Sequence, residues 1–73
     1  MPSVRGVVIA VQEGRFQLAA DGGRVMRFLL SHKAAAEPQD LPPLQAAARP
    51  VRVEYEDGGH LIAAIARNIE VEE

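Results

Sequence analysis

The side chains best suited to holding an anion are concentrated between residues 14 and 33. Residues 1–33 carry five basic and two acidic side chains, whereas residues 34–73 carry three basic and eight acidic ones. The total charge of −2 argues against indiscriminate binding of polyanions, but a phosphate backbone responds to a local basic face rather than to a total. The basic residues of this half that lie at or beyond the first predicted turn are Arg15, Arg24, Arg27 and Lys33. They predict a phosphate-binding face, and the alternative is a set of ordinary solvated strand faces.

The residue types give little support for disulfide bonds, a metal site or a catalytic site. The chain has no cysteine, so it has neither a disulfide framework nor a thiolate metal site. His32 and His60 are far apart in sequence and have no zinc-ligand spacing. Ser31 and His32 are adjacent, but no third residue completes a catalytic triad. We therefore expect no enzyme activity, no metal and no cofactor.

A β-hairpin is predicted to position the basic residues. Apolar and polar residues alternate over residues 15–20 and 24–30, on either side of Asp21-Gly22-Gly23. Glycine tolerates the positive φ of a tight turn, and aspartate can bond its own downstream backbone. One face carries the apolar residues expected in the core: Phe16, Leu18, Ala20, Met26, Phe28 and Leu30. The other face carries Arg15, Gln17, Arg27 and Leu29.

A long first strand is predicted over residues 4–12, followed by a turn at residues 13–14. Gly6 interrupts this strand, and a glycine inside a strand often marks a bulge or bend. Such a bend would let one strand serve two sheets of a small barrel. Period-two alternation predicts two faces for the strand, one with Val7, Ile9 and Val11 and the other with Val8 and Ala10.

The second half is predicted to contain a loop, a helix and two strands. Residues 31–40 lack alternation and form a loop, and residues 41–49 form a short helix capped by Asp40 and ended by Pro50. The residues expected on the packed face of the helix are Leu44, Ala47 and Ala48. Strand four is predicted over residues 51–56, with Val51, Val53 and Tyr55 inward. A second Asp-Gly-Gly turn leads into strand five, residues 60–68, and an acidic tail follows.

Three strands, a helix and two strands are the order of the oligonucleotide/oligosaccharide-binding (OB) fold, a five-stranded Greek-key barrel. We therefore predict an all-β domain with one short helix, a single OB-fold barrel over residues 1–73. Five segments resemble bacterial translation initiation factor one and S1-type domains, with the cold-shock domain a more distant match. They are Gly6-Val7-Val8, Phe16-Gln17-Leu18, Gly22-Gly23-Arg24-Val25-Met26, Leu30-Ser31-His32-Lys33 and Val51-Arg52-Val53-Glu54.

The resemblance implies that single-stranded nucleic acid binds the outward face of strands one to three. The stacking rings of the cold-shock pattern would fall at Ala10, Arg15, Gln17, Arg27 and Leu29, none of which is aromatic. Stacking contributes about 1–3 kcal/mol per base, so the remaining contacts would be electrostatic. The expected nucleic-acid-binding residues are Arg15, Gln17, Arg24, Arg27, His32 and Lys33. In this set Gln17 and His32 would contact bases, and Arg5 could add a further cation.

Two functions stay open at this point. The first is a non-catalytic OB-fold module that contacts single-stranded RNA or DNA through strands two and three and the loop at residues 31–38. The second is a protein-interaction or structural domain, which could be a homodimer. It is favoured because Leu29 and Ala10 are apolar residues on the outward face. With no signal-peptide core and no apolar run of membrane-spanning length, a cytoplasmic location away from membranes is expected.

Overall fold

The computed structural model describes residues 2–57 and 63–72. The strands are β1 (Ser3–Gln12), β2 (Arg15–Ala20), β3 (Val25–Leu30), β4 (Val51–Glu56) and β5 (Ala64–Val71). The helix α1 (Leu41–Ala47) lies between β3 and β4 and is preceded by a 3-10 turn at Pro38–Asp40. Within the described ranges, no helix has the length and apolar character needed to cross a membrane. The predicted order of elements is confirmed.

The five strands close into a barrel in the order β1-β2-β3-β5-β4, with β4 pairing back to β1. The β3–β5 pair is parallel and the other four pairs are antiparallel. A five-stranded barrel with a helix between its third and fourth strands is the architecture of the OB fold. The predicted fold class is therefore confirmed, and closure leaves no long unprotected sheet edge among the paired segments.

Strand β1 takes part in both halves of the barrel, as predicted. Its first part, Ser3 to Gly6, pairs with β4, and its second part, Gly6 to Gln12, pairs with β2. Gly6 belongs to both pairings. A Cβ atom at Gly6 would lie 2.3 Å from the backbone oxygen of Ala19. Glycine is therefore required here by the close approach of β2.

Of the bulge or bend predicted at Gly6, the bulge is not found there, because the irregularity of β1 lies three residues later. Val8 pairs with Leu18 and Ala10 pairs with Gln17, so Ile9 has no partner on β2. An unpaired residue reverses the alternation beyond it. Val8, before the bulge, is buried at 1% exposure, whereas beyond the bulge Ala10 is aligned with Gln17 and Val11 packs against the core. The predicted faces of β1 are therefore wrong, because Val11 does not share a face with Val7 and Ile9, and Ala10 does not share one with Val8.

The core contains most of the residues that the hairpin and strand-four patterns predicted. Phe16 and Phe28 stack with their ring centroids 5.2 Å apart, and Tyr55 meets Phe28 edge-on at 5.4 Å. The buried cluster as a whole consists of Val8, Phe16, Leu18, Phe28, Leu41, Val51, Val53 and Ala66. The prediction that both phenylalanines belong to the core, and not to an outward platform, is confirmed.

The predicted packed face of helix α1 is confirmed for Leu44 and wrong for Ala47 and Ala48. Leu41 is fully buried and Leu44 packs against the core, whereas Ala47 and Ala48 are exposed. The side-chain Nε2 of Gln45 donates a hydrogen bond of 3.0 Å to the carbonyl oxygen of Ile9. The helix is thus joined to β1 at the bulge.

The predicted start of α1 at Leu41 is confirmed, whereas its last residue and its N-terminal cap differ from the prediction. The helix ends at Ala47, because Ala48 adopts a left-handed conformation with φ of 52° and donates its N–H to the carbonyls of Leu44 and Gln45. At the other end, Asp40 makes no side-chain cap to α1. Its Oδ2 accepts a 2.9 Å hydrogen bond from the N–H of Glu37 and so caps the preceding 3-10 turn.

The predicted boundaries of three strands move, and β1 begins at Ser3, one residue earlier than predicted. Strand β3 begins at Val25 and not at Arg24, because the carbonyl of Arg24 closes the turn by accepting a 2.7 Å hydrogen bond from the N–H of Ala20. Strand β5 begins at Ala64 and continues to Val71, so the residues predicted as a tail extend the pairing with β4. The predicted strand residues 60–62 and the second Gly-Gly turn at residues 58–59 lie outside the described residues.

Candidate nucleic-acid interface

The pairing register brings three of the predicted site residues onto neighbouring rows of one face. Ala10, Gln17 and Arg27 are aligned across β1, β2 and β3. In the next row, Gln12 is aligned with Arg15 and Arg15 with Leu29. Paired residues of antiparallel strands point to the same side of a sheet. We call the outward surface formed by these two rows the β1–β3 face: Ala10, Gln12, Arg15, Gln17, Arg27 and Leu29.

A groove of about 460 Å³ opens along this face. All six residues of the β1–β3 face line it, and Phe16 and Phe28 reach it from the core side. These two rings are only 2% and 1% exposed. They therefore provide an apolar floor and not a platform on which a base could stack. The remaining lining residues are Val11 and Ala63.

In the part of the chain that the structure describes, the arginines of this groove have no partner that would neutralise them. Arg15 and Arg27 are exposed, and neither makes a side-chain hydrogen bond or ion pair within residues 2–57 and 63–72. An unpaired guanidinium offers a full positive charge and five N–H donors in a planar fork. The groove therefore combines an apolar floor with two available cations on its rim.

The described arginines of β1, β4 and β5 are paired. Arg5 lies 3.2 Å from Asp21, Arg52 lies 2.9 Å from Glu72 and Arg67 lies 3.2 Å from Glu56. Among the described residues, the basic side chains without a side-chain partner are Arg15, Arg24, Arg27, Lys33 and Arg49. The available positive charge thus lies mainly on β2, β3 and their flanking turns.

The other three predicted site residues do not join the groove. Arg24 lies in the β2–β3 turn, and Lys33 lies in the loop after β3, where its N–H donates a 3.1 Å hydrogen bond to Ser31 Oγ. Since β3 separates these two residues and a strand rises by about 3.3 Å per residue, they are roughly 20–30 Å apart. His32 lines a separate cavity formed by the loop from Leu30 to Gln39. The structure therefore divides the six predicted residues among three places.

Gln12 also lines the groove and was not among the predicted site residues. It lies opposite Arg15 because only two residues, Glu13 and Gly14, separate β1 from β2. A two-residue turn fixes the register of a hairpin. The alignment of Gln12 with Arg15 could therefore have been predicted from the spacing of the two strands alone. Its amide adds a donor and an acceptor at the rim of the groove.

Next to the β1–β3 face lies an apolar row. Val7 is aligned with Ala19, and Ala19 with Val25. Val25 is 58% exposed, and the bulge residue Ile9 is 42% exposed. These four residues form a small apolar patch beside the arginines, a kind of surface that is common in contacts with other molecules.

The outward surface of β4 and β5 has the opposite electrostatic character. Asn68 Nδ2 donates hydrogen bonds to Glu54 Oε1 at 3.1 Å and to Glu70 Oε1 at 3.2 Å. The acidic side chains here outnumber Arg52 and Arg67, both of which are paired. Among the residues that the structure describes, no three histidine, aspartate or glutamate side chains gather as a potential metal site. The barrel is therefore electrostatically polarised.

Comparisons with known proteins add no family to this description. No protein-family model matches the chain, and no curated protein matches its sequence. The five-stranded closed barrel is compatible with an OB fold on its topology. The finer resemblance to translation initiation factor one and S1-type domains has no support from either comparison.

Proposed function

We propose that this chain is a non-catalytic OB-type module that binds single-stranded RNA or DNA on its β1–β3 face. The observation that carries the proposal is that Arg15 and Arg27 lie on the rim of one groove and that no described residue neutralises either of them. The sequence resemblance to initiation factor one and S1-type domains supports the same surface, since those families bind nucleic acid there. Gln17 and Gln12 would supply hydrogen bonds to base edges or sugars.

Without aromatic side chains on this face, the binding energy would come mainly from phosphate contacts. Each phosphate neutralised on a single strand contributes about −0.7 to the slope of log K against log salt. Contacts from Arg15 and Arg27 alone would give a slope of about −1.4, and adding Arg24 and Lys33 would give about −2.8. Affinity should therefore fall steeply as salt rises.

The test is an NMR titration of isotopically labelled protein with mixed-sequence RNA and DNA octamers at low and moderate salt. We expect amide shifts confined to β2, β3, residues 10–12 of β1 and the loop at residues 31–38, and their loss as salt rises. Arg27→Glu should abolish binding. Arg49→Glu is the matched control, because Arg49 is also exposed and unpaired in the described chain but lies outside the groove. Equal losses in the two variants, or no shifts in the unmodified protein at low salt, would refute the proposal.

A second candidate function is favoured by the apolar patch of Val7, Ile9, Ala19 and Val25. Exposed aliphatic residues suit the core of a protein interface better than a phosphate backbone. Under this second hypothesis the barrel associates with a protein partner. The simplest such partner is a second copy of the chain. A mass near twice 7.9 kDa in sedimentation or light scattering, reduced to the monomer value by Val25→Lys, would support it. A monomer at every concentration would exclude the homodimer.

A further inference from the structure

The two groove arginines are diagonal neighbours on the β1–β3 face. Arg15 is aligned with Leu29, and Arg27 is aligned with Gln17, two residues away on each strand. Diagonal neighbours in an antiparallel pair are about 7–8 Å apart, within reach of each other for long side chains. Both side chains line the same groove. Their guanidinium groups can therefore converge on one anion.

The groove is the size of a small-ligand site. Its volume of about 460 Å³ lies within the range of pockets that enclose one small molecule, about 300–1,000 Å³. The other unpaired cations of the hairpin half, Arg24 and Lys33, lie beyond the two ends of β3 and do not line it. Arg15 and Arg27 thus place two positive charges close together in the groove. They do not form a continuous track for several phosphates.

The two positive charges of Arg15 and Arg27 fit a terminal phosphate better than an internal one. A phosphomonoester carries a charge of about −1.5 to −2 at neutral pH and has three acceptor oxygens, whereas an internal phosphodiester carries a single negative charge. Two guanidinium groups can each bind a phosphate through parallel hydrogen bonds. Glu13, the acidic residue nearest Arg15 in sequence, makes no ion pair with it. Full use of both arginines therefore requires the dianion.

The rest of the groove suits the nucleoside that carries such a phosphate. Gln12 and Gln17 offer amide groups at the rim, and the floor is formed by Phe16, Phe28 and neighbouring aliphatic residues. We propose that the arginine groove binds the terminal phosphomonoester of a single strand in preference to internal phosphodiesters. This inference rests on the proposed function, because it specifies which part of the strand occupies the same face.

The experiment compares four oligonucleotides by fluorescence anisotropy with the intact chain at low salt. They are a DNA octamer with hydroxyl groups at both ends, the same octamer with a 5′-phosphate, the same octamer with a 3′-phosphate, and an unphosphorylated nonamer that adds one internal phosphodiester. We expect one of the phosphorylated octamers to bind about tenfold more tightly than the unphosphorylated one, as one extra set of charged hydrogen bonds implies. The nonamer should gain less than twofold.

Substitutions then tie the preference to the groove. Arg15→Gln and Arg27→Gln should each remove the advantage of the phosphorylated octamer, whereas Arg24→Gln should weaken all four ligands alike. All three side chains are exposed, and an unchanged amide spectrum verifies the fold of each variant.

The outcomes separate this inference from the proposed function. If phosphorylated octamer and nonamer gain equally, the preference for a terminal phosphate is refuted and the nucleic-acid interface stands. If none of the four binds, both are refuted. If a free nucleoside monophosphate competes as well as the phosphorylated octamer, the site is specific for mononucleotides and the strand-end proposal is overturned.

Discussion

Replacing Gly6 by alanine is the substitution whose consequence follows most directly from the structure. Gly6 is the residue of β1 that pairs with Ala20 of β2 and with Val51 of β4, so it lies where the barrel closes. A Cβ atom there would lie 2.3 Å from the oxygen of Ala19, 2.8 Å from the Cα of Ala20 and 2.9 Å from the carbonyl carbon of Ala19. All three are backbone atoms of a paired strand and cannot rotate away.

The size of the effect can be estimated from these distances. Non-bonded carbon atoms are most stable about 3.5–4.0 Å apart, so β2 would have to move by about 1 Å. Overpacking in a core costs about 1–3 kcal/mol where side chains can adjust. Because only backbone can adjust here, we expect a loss of about 3 kcal/mol. A domain of this length has a total stability of roughly 4–11 kcal/mol, so the loss is a large fraction.

Thermal and urea unfolding followed by circular dichroism would measure this loss. A change of about 3 kcal/mol corresponds to a fall in Tm of roughly 12–24 °C for a small domain. Gly22→Ala is the matched control, since Gly22 has φ of 92° but no atom within 4 Å of an added Cβ. It should cost only about 1–2 kcal/mol, from backbone conformation alone. A Gly6→Ala protein as stable as the Gly22→Ala protein would show that the strands do not approach as described.

Two further predictions concern α1. Ala48→Gly should raise the free energy of unfolding by about 1 kcal/mol, because Ala48 has φ of 52° and is exposed, and glycine adopts this conformation without strain. Ala47→Gly, inside the same helix, should instead lower it by about 1 kcal/mol, and urea unfolding of the pair checks both signs. Leu41→Ala should lower the free energy of unfolding by about 2–5 kcal/mol, because Leu41, the first residue of α1, is fully buried in the core. A loss below 1 kcal/mol in the same assay would show that α1 is not packed on the core.

The hairpin of β2 and β3 was predictable in detail because local chemistry determines it. Alternation over residues 15–20 and 24–30 identified the inward residues, and Asp21-Gly22-Gly23 identified the turn. In the structure, Gly22 and Gly23 both have positive φ, which is the conformation that glycine was expected to supply. Strand β4 was equally clear for the same reason.

The two bulges were not predictable from alternation. Ile9 in β1 and Arg67 in β5 each lack a partner on the adjacent strand, so alternation reverses beyond them. Residues 7–11, around Ile9, are all apolar and give no sign of which one is unpaired. The bulge at Ile9 is identified only by contacts distant in sequence, including the hydrogen bond from Gln45 in α1 to its carbonyl.

The site was predictable to the extent that strand register defines it. Arg15, Gln17 and Arg27 share a face because alternation and a short turn require it, whereas residues of turns and loops, such as Arg24 and Lys33, follow no such rule. What could not be foreseen is which cations remain unpaired. The ion pairs of Arg5, Arg52 and Arg67 join residues on or next to neighbouring strands, which meet when β1 pairs with β2 and β4 pairs with β5. Among the described residues, this strand pairing neutralises the arginines of β1, β4 and β5 and leaves those of the groove available. The polarity of the surface is for this reason a property of the fold as much as of the composition.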